Sequence, residues 1–136
     1  MGIEMGHDMI ITFPGGKKVN AEFSGFTFPT DQPVAQGGEA SAPSPFHMFL
    51  ASLGTCAGYF ALAFCAQRNI PTEGVRLVQR ITPGPGGLEK IAIDIEVPPS
   101  FPSKYLEPLA RAASACAVKK VIEHPPVFEV KTVVVP

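Results

Sequence analysis

From Phe46 to Ala66 the chain reads FHMFLASLGTCAGYFALAFCA, without a single Asp, Glu, Lys or Arg. Ser44 followed by Pro45 is a strong helix start, a hydroxyl at the N-cap and a proline at the first helical position. Asn69 and Pro71 punctuate the other end, so the spacing predicts a helix from Pro45 to about Arg68. Wound at 100° per residue, this segment is apolar on nearly every face, and a helix with no polar face must be covered all round. Its length would also suit a membrane span, but His47, Ser52, Gly54, Thr55 and Gly58 interrupt it, and a buried core helix is the better reading. One sheet covers one side of such a helix. The other side needs another helix or a second copy of the chain, so a homodimer is expected, with Ala51, Ser52, Gly54, Ala57, Gly58 and Ala61 allowing close approach.

The remaining segments are short and punctuated by 15 prolines and 13 glycines. Met9 to Phe13 and Lys18 to Phe28, separated by Pro14, Gly15 and Gly16, read as an N-terminal hairpin or meander. Thr30 to Pro43 reads as a loop. Val75 to Thr82 and Leu88 to Val97 flank PGPGG, a hairpin signal. Ser103 to about Glu123 is helical in composition with an interruption expected at Pro108, and Val127 to Val135 is expected to be a last strand. Hairpins without regular βα alternation predict an α+β fold, a mainly antiparallel sheet packed on a long central helix and a second helical segment.

At 136 residues, with 46% hydrophobic and 17% charged residues, the chain is sized for a single domain spanning residues 1–136. The net charge is −1 and no basic run exceeds two residues, which argues against nucleic acid as a partner. The N-terminal residues lack a signal-peptide pattern, so a cytoplasmic, reducing setting is expected, where thiols stay free or act catalytically.

The candidate chemistry lies in the cysteines. Cys56 sits mid-helix between Gly54 and Gly58, residues that cost about 1 kcal/mol each in a helix and usually mark close approach of another element. Cys116, in ASACAVKK, falls in the first turn of a helical segment if Ser114 caps it, where a thiolate is favoured and Lys119 and Lys120 add positive charge. Cys65 follows Cys56 by nine residues, half a turn out of phase, and reads as core packing. His7 and His124 read as solvated surface residues, and His47 lies in the first helical turn. No histidine stands at ligand spacing from a cysteine, so neither a metal nor a cofactor is expected.

The segment SPFHMFLASLGTCAGYFALAF resembles the central helix of the OsmC/Ohr family of stress-linked hydroperoxide reductases, and LARAASACAVKKVIEH resembles that family's second-cysteine region. The resemblance implies an OsmC-like fold, an intertwined homodimer with sites at the subunit interface, and a peroxiredoxin-like thiol cycle. In that cycle Cys56 is the catalytic cysteine that attacks a small organic hydroperoxide, Cys116 resolves it, and an external dithiol reductant restores both. The family's Arg–Glu pair is not matched. The N-terminal half offers Lys17 and Lys18, and Glu39 and His47 are the nearest candidates for supporting groups. His47 stands roughly 13 Å along the helix from Cys56, out of reach within one subunit. The residue after the second cysteine is Ala117 where the family has proline. Without the arginine, the Cys56 thiol is expected near its ordinary value of about 8.5, and the activity is expected to be weak. The alternatives are a non-peroxidase member that binds an acyl or other small hydrophobic ligand at the dimer interface, and a redox sensor.

Overall fold

The structure, a computed structural model, describes residues 8–136. His7, expected at the surface, lies outside the described residues. The chain divides into two compact units, one ending at Ser52 and the other running from Leu53 to Pro136.

The first unit carries a three-stranded antiparallel meander of β1 (Ile10–Gly15), β2 (Lys18–Phe23) and β3 (Phe26–Thr30). Sequence reading runs Lys18 to Phe28 together as one strand. The chain instead reverses at Ser24 and Gly25, both in left-handed backbone (φ 49° and 82°), and Phe23 pairs with Phe26 across the turn. Two consecutive positive-φ residues give a turn whose twist matches that of the strands it joins.

The loop after β3 is organised by a single buried carboxylate. Asp31 is 1% exposed and accepts from the Gln32 N–H (2.7 Å), the Ser41 N–H (3.1 Å), the Glu39 N–H (3.3 Å) and the Ser41 hydroxyl (2.6 Å). The Asp31 N–H in turn donates to Pro43 O at 3.2 Å, which closes the loop just ahead of the helix start. Gly38 is obligatory here, because a Cβ at that position would stand 2.0 Å from Gln32 O.

Helix α1 (Pro45–Gln67) begins where the capping signal puts it. The His47 N–H donates to Ser44 Oγ at 3.3 Å and the Met48 N–H to Ser44 O at 3.0 Å. It ends in a Schellman motif. Asn69 takes the left-handed position (φ 54°), the Ile70 N–H reaches Cys65 O at 2.9 Å, and the Asn69 N–H reaches Ala66 O at 3.3 Å.

In the second unit, β4 (Arg76–Gly84) and β5 (Gly87–Glu96) form the expected hairpin, with Gly84 paired to Gly87 around Pro85 and Gly86. One face of it carries the ion pairs Arg76–Glu96 and Arg80–Asp94. Leu77 and Ile95, directly opposite each other, pack with Val75 and Val97 against a core of Ala61, Phe64, Cys65, Phe101 and Leu109. A 3₁₀ turn over Ser103–Tyr105 leads into α2 (Leu106–Ala113), which buries Leu109 and Ala113, and α3 (Ala117–Glu123) follows.

Two expectations are corrected. Pro108 does not interrupt the helical segment. It occupies the first turn of α2, where a backbone N–H has no intrahelical partner to lose, and the break falls at 114–116 instead. Val127 to Val135 forms no strand. Residues 125–136 are exposed and without regular structure, because strand residues need a neighbouring backbone and none of the described strands pairs with them.

Candidate functional site

Cys56 and Cys116 are brought together by α1 and by the start of α3. Cys116 is itself the N-cap of α3, a role sequence reading assigns to Ser114. Its backbone is extended (φ −53°, ψ 121°), and its sulfur accepts from the Lys119 N–H at 3.4 Å. Ser114 ends the preceding helix, its hydroxyl donating to Ala110 O at 2.9 Å. The Cys116 thiol lies 3.8 Å from Leu53 O, within the same turn of α1 as Cys56, which puts it beside the Cys56 thiol. All three cysteines are free thiols.

The two sulfurs are displaced in opposite directions. Burial pushes the Cys56 thiol up, yet it lies below its ordinary value. The Val118 N–H, the Cys116 thiol and the Ala117 N–H beside its sulfur favour the thiolate. Cys116 lies above its ordinary value, because burial outweighs the Lys119 N–H and because a neighbouring Cys56 thiolate disfavours a second negative charge. This reverses the expectation of a thiolate at Cys116. It also revises the expectation for Cys56, whose support comes from main-chain amides that reading by side chain could not register.

The hairpin explains Gly54. A Cβ there would stand 2.8 Å from Gln79 Oε1, so the glycine leaves room for the Gln79 side chain of β4 within one turn of Cys56. Cys65 belongs elsewhere. It is fully buried among Ala61, Phe64, Phe101 and Leu109, and burial pushes its thiol up, with Arg68 opposing in part. Arg68 itself lies 3.6 Å over the Phe64 ring and donates to Phe64 O, so it is an anchor for the end of α1.

The other candidates gather in the first unit. Lys18 Nζ pairs with Glu39 Oε2 at 3.2 Å, and Glu39 is held through its N–H by Asp31. The Lys17 stem runs beside Gly37. His47 is exposed in the first turn of α1. Asp31, which organises this loop, gave no signal in the sequence beyond an acid ahead of a Gly- and Ser-rich stretch. Ser41 first, against opposition from burial, and then the loop N–H groups hold its carboxyl at about 2, from an ordinary 3.8. Among the described residues no group of three or more His, Cys, Asp or Glu side chains converges as a metal site would require.

Comparison with known proteins places this geometry in context. Residues 38–131 match the OsmC-like protein family. No curated protein sequence matches the chain. Among solved structures, a Psychrobacter arcticus protein described as an osmotic stress induced and detoxification response protein is similar at 22% identity. It superposes with a TM-score of 0.68 over 92% of this chain and 91% of that one. An OsmC-like protein from Mycoplasma pneumoniae is similar at 14% identity and a TM-score of 0.65, over 90% and 91% of the two chains. An organic hydroperoxide resistance protein from Legionella pneumophila is similar at 19% identity and a TM-score of 0.56, over 85% and 88%. At these identities the likeness is one of fold.

Proposed function

This chain belongs to the OsmC-like family, and from that premise we propose that it is a thiol-dependent reductase of organic hydroperoxides, with Cys56 as the attacking thiolate and Cys116 as the resolving thiol. The observation that carries the reading is the contact between two thiols with opposite displacements, one favouring the anion and the other retaining its proton. That is the division a two-cysteine cycle needs. The Cys56 thiolate attacks the terminal oxygen of the hydroperoxide, an S–O bond forms as the O–O bond breaks, and the departing alkoxide takes a proton to leave as the alcohol. The Cys116 sulfur then attacks the Cys56 sulfenic acid. An S–S bond forms, and hydroxide leaves with the thiol proton as water. An external dithiol restores both thiols by exchange, in a cytoplasmic, reducing setting. The name borne by the Legionella neighbour supports the substrate class.

The working unit in this reading is a homodimer. Ala51, Thr55, Tyr59, Leu62 and Ala66 form one exposed stripe along α1, with Tyr59 50% and Leu62 53% exposed on a helix that has no polar face. A second copy supplies the cover that stripe requires.

Stopped-flow oxidation of the reduced protein by cumene hydroperoxide tests the reaction. The rate is expected to rise with pH through an inflection below that of an ordinary free thiol. It is expected to vanish in Cys56→Ser and, in Cys116→Ser, to stop at a sulfenic acid that dimedone traps. Absence of oxidation, or a rate indifferent to Cys56→Ser, overturns the proposal.

A further inference from the structure

We infer that the main-chain carbonyl of Leu53 is a positioning group for the resolving thiol: it holds the Cys116 S–H against α1 and leaves one sulfur lone pair for the attack on Cys56. The inference rests on Cys116 as the resolving thiol and names the group that aims it. Cys116 is 3% exposed, so bulk water does not set the direction of its S–H. The thiol donates to Leu53 O at 3.8 Å, and the Lys119 N–H donates to the sulfur at 3.4 Å. A thiol sulfur has one proton to give and two lone pairs to offer. With the proton on the carbonyl and one lone pair on the amide, a single lone pair stays uncommitted. Leu53 and Cys56 stand three residues apart in α1 and are neighbours on one helix face, so a thiol tied to Leu53 O is kept beside the sulfur it must attack. A helical carbonyl spends one of its lone pairs on the N–H four residues on and keeps the other for such a donor. Fixed in the interior of α1, it cannot rotate away as a side chain would, and holding the reacting pair in register is what speeds a step between them. The carbonyl takes no proton. As the S–S bond forms, the Cys116 S–H bond breaks and its proton leaves with the hydroxide as water.

The S–H stretching band of the reduced protein, read by infrared spectroscopy, tests this directly. Its Cys116 component is isolated by difference against Cys116→Ala. The band is expected below the position of a thiol in an apolar solvent, and it is expected to stay there in Cys56→Ala, because the acceptor is the carbonyl and not the neighbouring sulfur. A band at the position of an unbonded thiol, or one that returns to it in Cys56→Ala, overturns the inference. A second arm weakens the acceptor itself. Glycolic acid in place of Gly54 turns the Leu53 carbonyl into that of an ester, and lactic acid in place of Ala63 makes the same change at Leu62 as the control. The Gly54 ester is expected to raise the band and to slow the decay of the dimedone-trapped Cys56 sulfenic acid by roughly threefold, with the first oxidation step unchanged. The Ala63 ester is expected to match the parent in both. A folded Gly54 ester whose band or resolution rate matches the parent overturns the inference, and if that ester fails to fold, the bands of the parent and of Cys56→Ala still decide. If the bands behave as expected but cumene hydroperoxide does not oxidise the parent, the placing of the thiol is supported and hydroperoxide reduction is the reading that fails.

Discussion

Cys56 and Cys65 share a helix and a chemistry, and their surroundings separate them. Cys56 keeps 7% of its surface exposed and meets N–H donors, whereas Cys65 is wholly buried in apolar contacts. Oxidation follows thiolate character and access, so the two are expected to differ in reactivity. Cys65→Ala is expected to keep hydroperoxide turnover and to cost about 1 kcal/mol of stability, the loss of a small buried group, as read by urea denaturation. A loss of turnover matching that of Cys56→Ser in a folded protein would contradict the assignment. Asp31 makes a second prediction. Its carboxyl is depressed in the folded state, so its contribution to stability is fully present above the ordinary 3.8 and disappears as pH falls through about 2. Asp31→Asn is expected to lower the melting temperature at neutral pH, and its deficit relative to the parent is expected to shrink as pH falls through that window. At this scale the cysteine pair was singled out through the resemblance of its two segments to a known family, because each thiol alone reads as a small buried group. The amides of Ala117 and Val118 were not, since a main-chain N–H has no signature of its own. Nor was Asp31, which among glycines and serines looks like any solvated loop acid.

Elements were legible where their ends carry local chemistry. Ser44, Pro45 and Asn69 fix α1 through a hydroxyl, a ring and a left-handed residue, and the structure uses all three. The turn at Ser24–Gly25 was passed over because apolar residues on both sides continued the β pattern across it. The opposite error occurred at 127–135, where an alternating run has every strand preference but pairs with no described strand. Strand propensity describes a fit to neighbours and does not create them. Helix α3 depends on context in another way. It has seven residues, buries none of them, and is capped by the Cys116 sulfur, which accepts from the Lys119 N–H. So short a helix is marginal by itself. A disulfide between Cys56 and Cys116 removes the thiolate acceptor and pulls the cap away. Amide hydrogen exchange in 117–123 is therefore expected to accelerate by tenfold or more on oxidation, about the cost of a lost cap of ~1–2 kcal/mol. Exchange in α2 is expected to stay unchanged. Equal protection of α3 in both redox states would contradict its dependence on the sulfurs.

For the whole molecule, the sequence carried the α+β class and the antiparallel hairpins through patterning alone, and the likeness to OsmC-like structures agrees with both. Association is where an all-round apolar helix points, and α1 leaves Tyr59 and Leu62 half exposed within one chain. Light scattering at micromolar concentration is expected to report a dimer. Leu62→Asp is expected to raise its dissociation constant by ~100-fold or more, because an unpaired charge would enter the interface. A monodisperse monomer for the parent protein would contradict the dimer. The central claim is that Cys56 and Cys116 form one redox couple driven by an organic hydroperoxide, and the intact protein reports on it directly. Reduced protein is mixed with an equimolar amount of cumene hydroperoxide, its remaining thiols are alkylated, and its mass and peptide map are taken. The account predicts a chain that has lost a pair of hydrogen atoms, a crosslink joining the Cys56 peptide to the Cys116 peptide, and Cys65 alkylated after unfolding. Three free thiols after exposure, or a crosslink that includes Cys65, would contradict it.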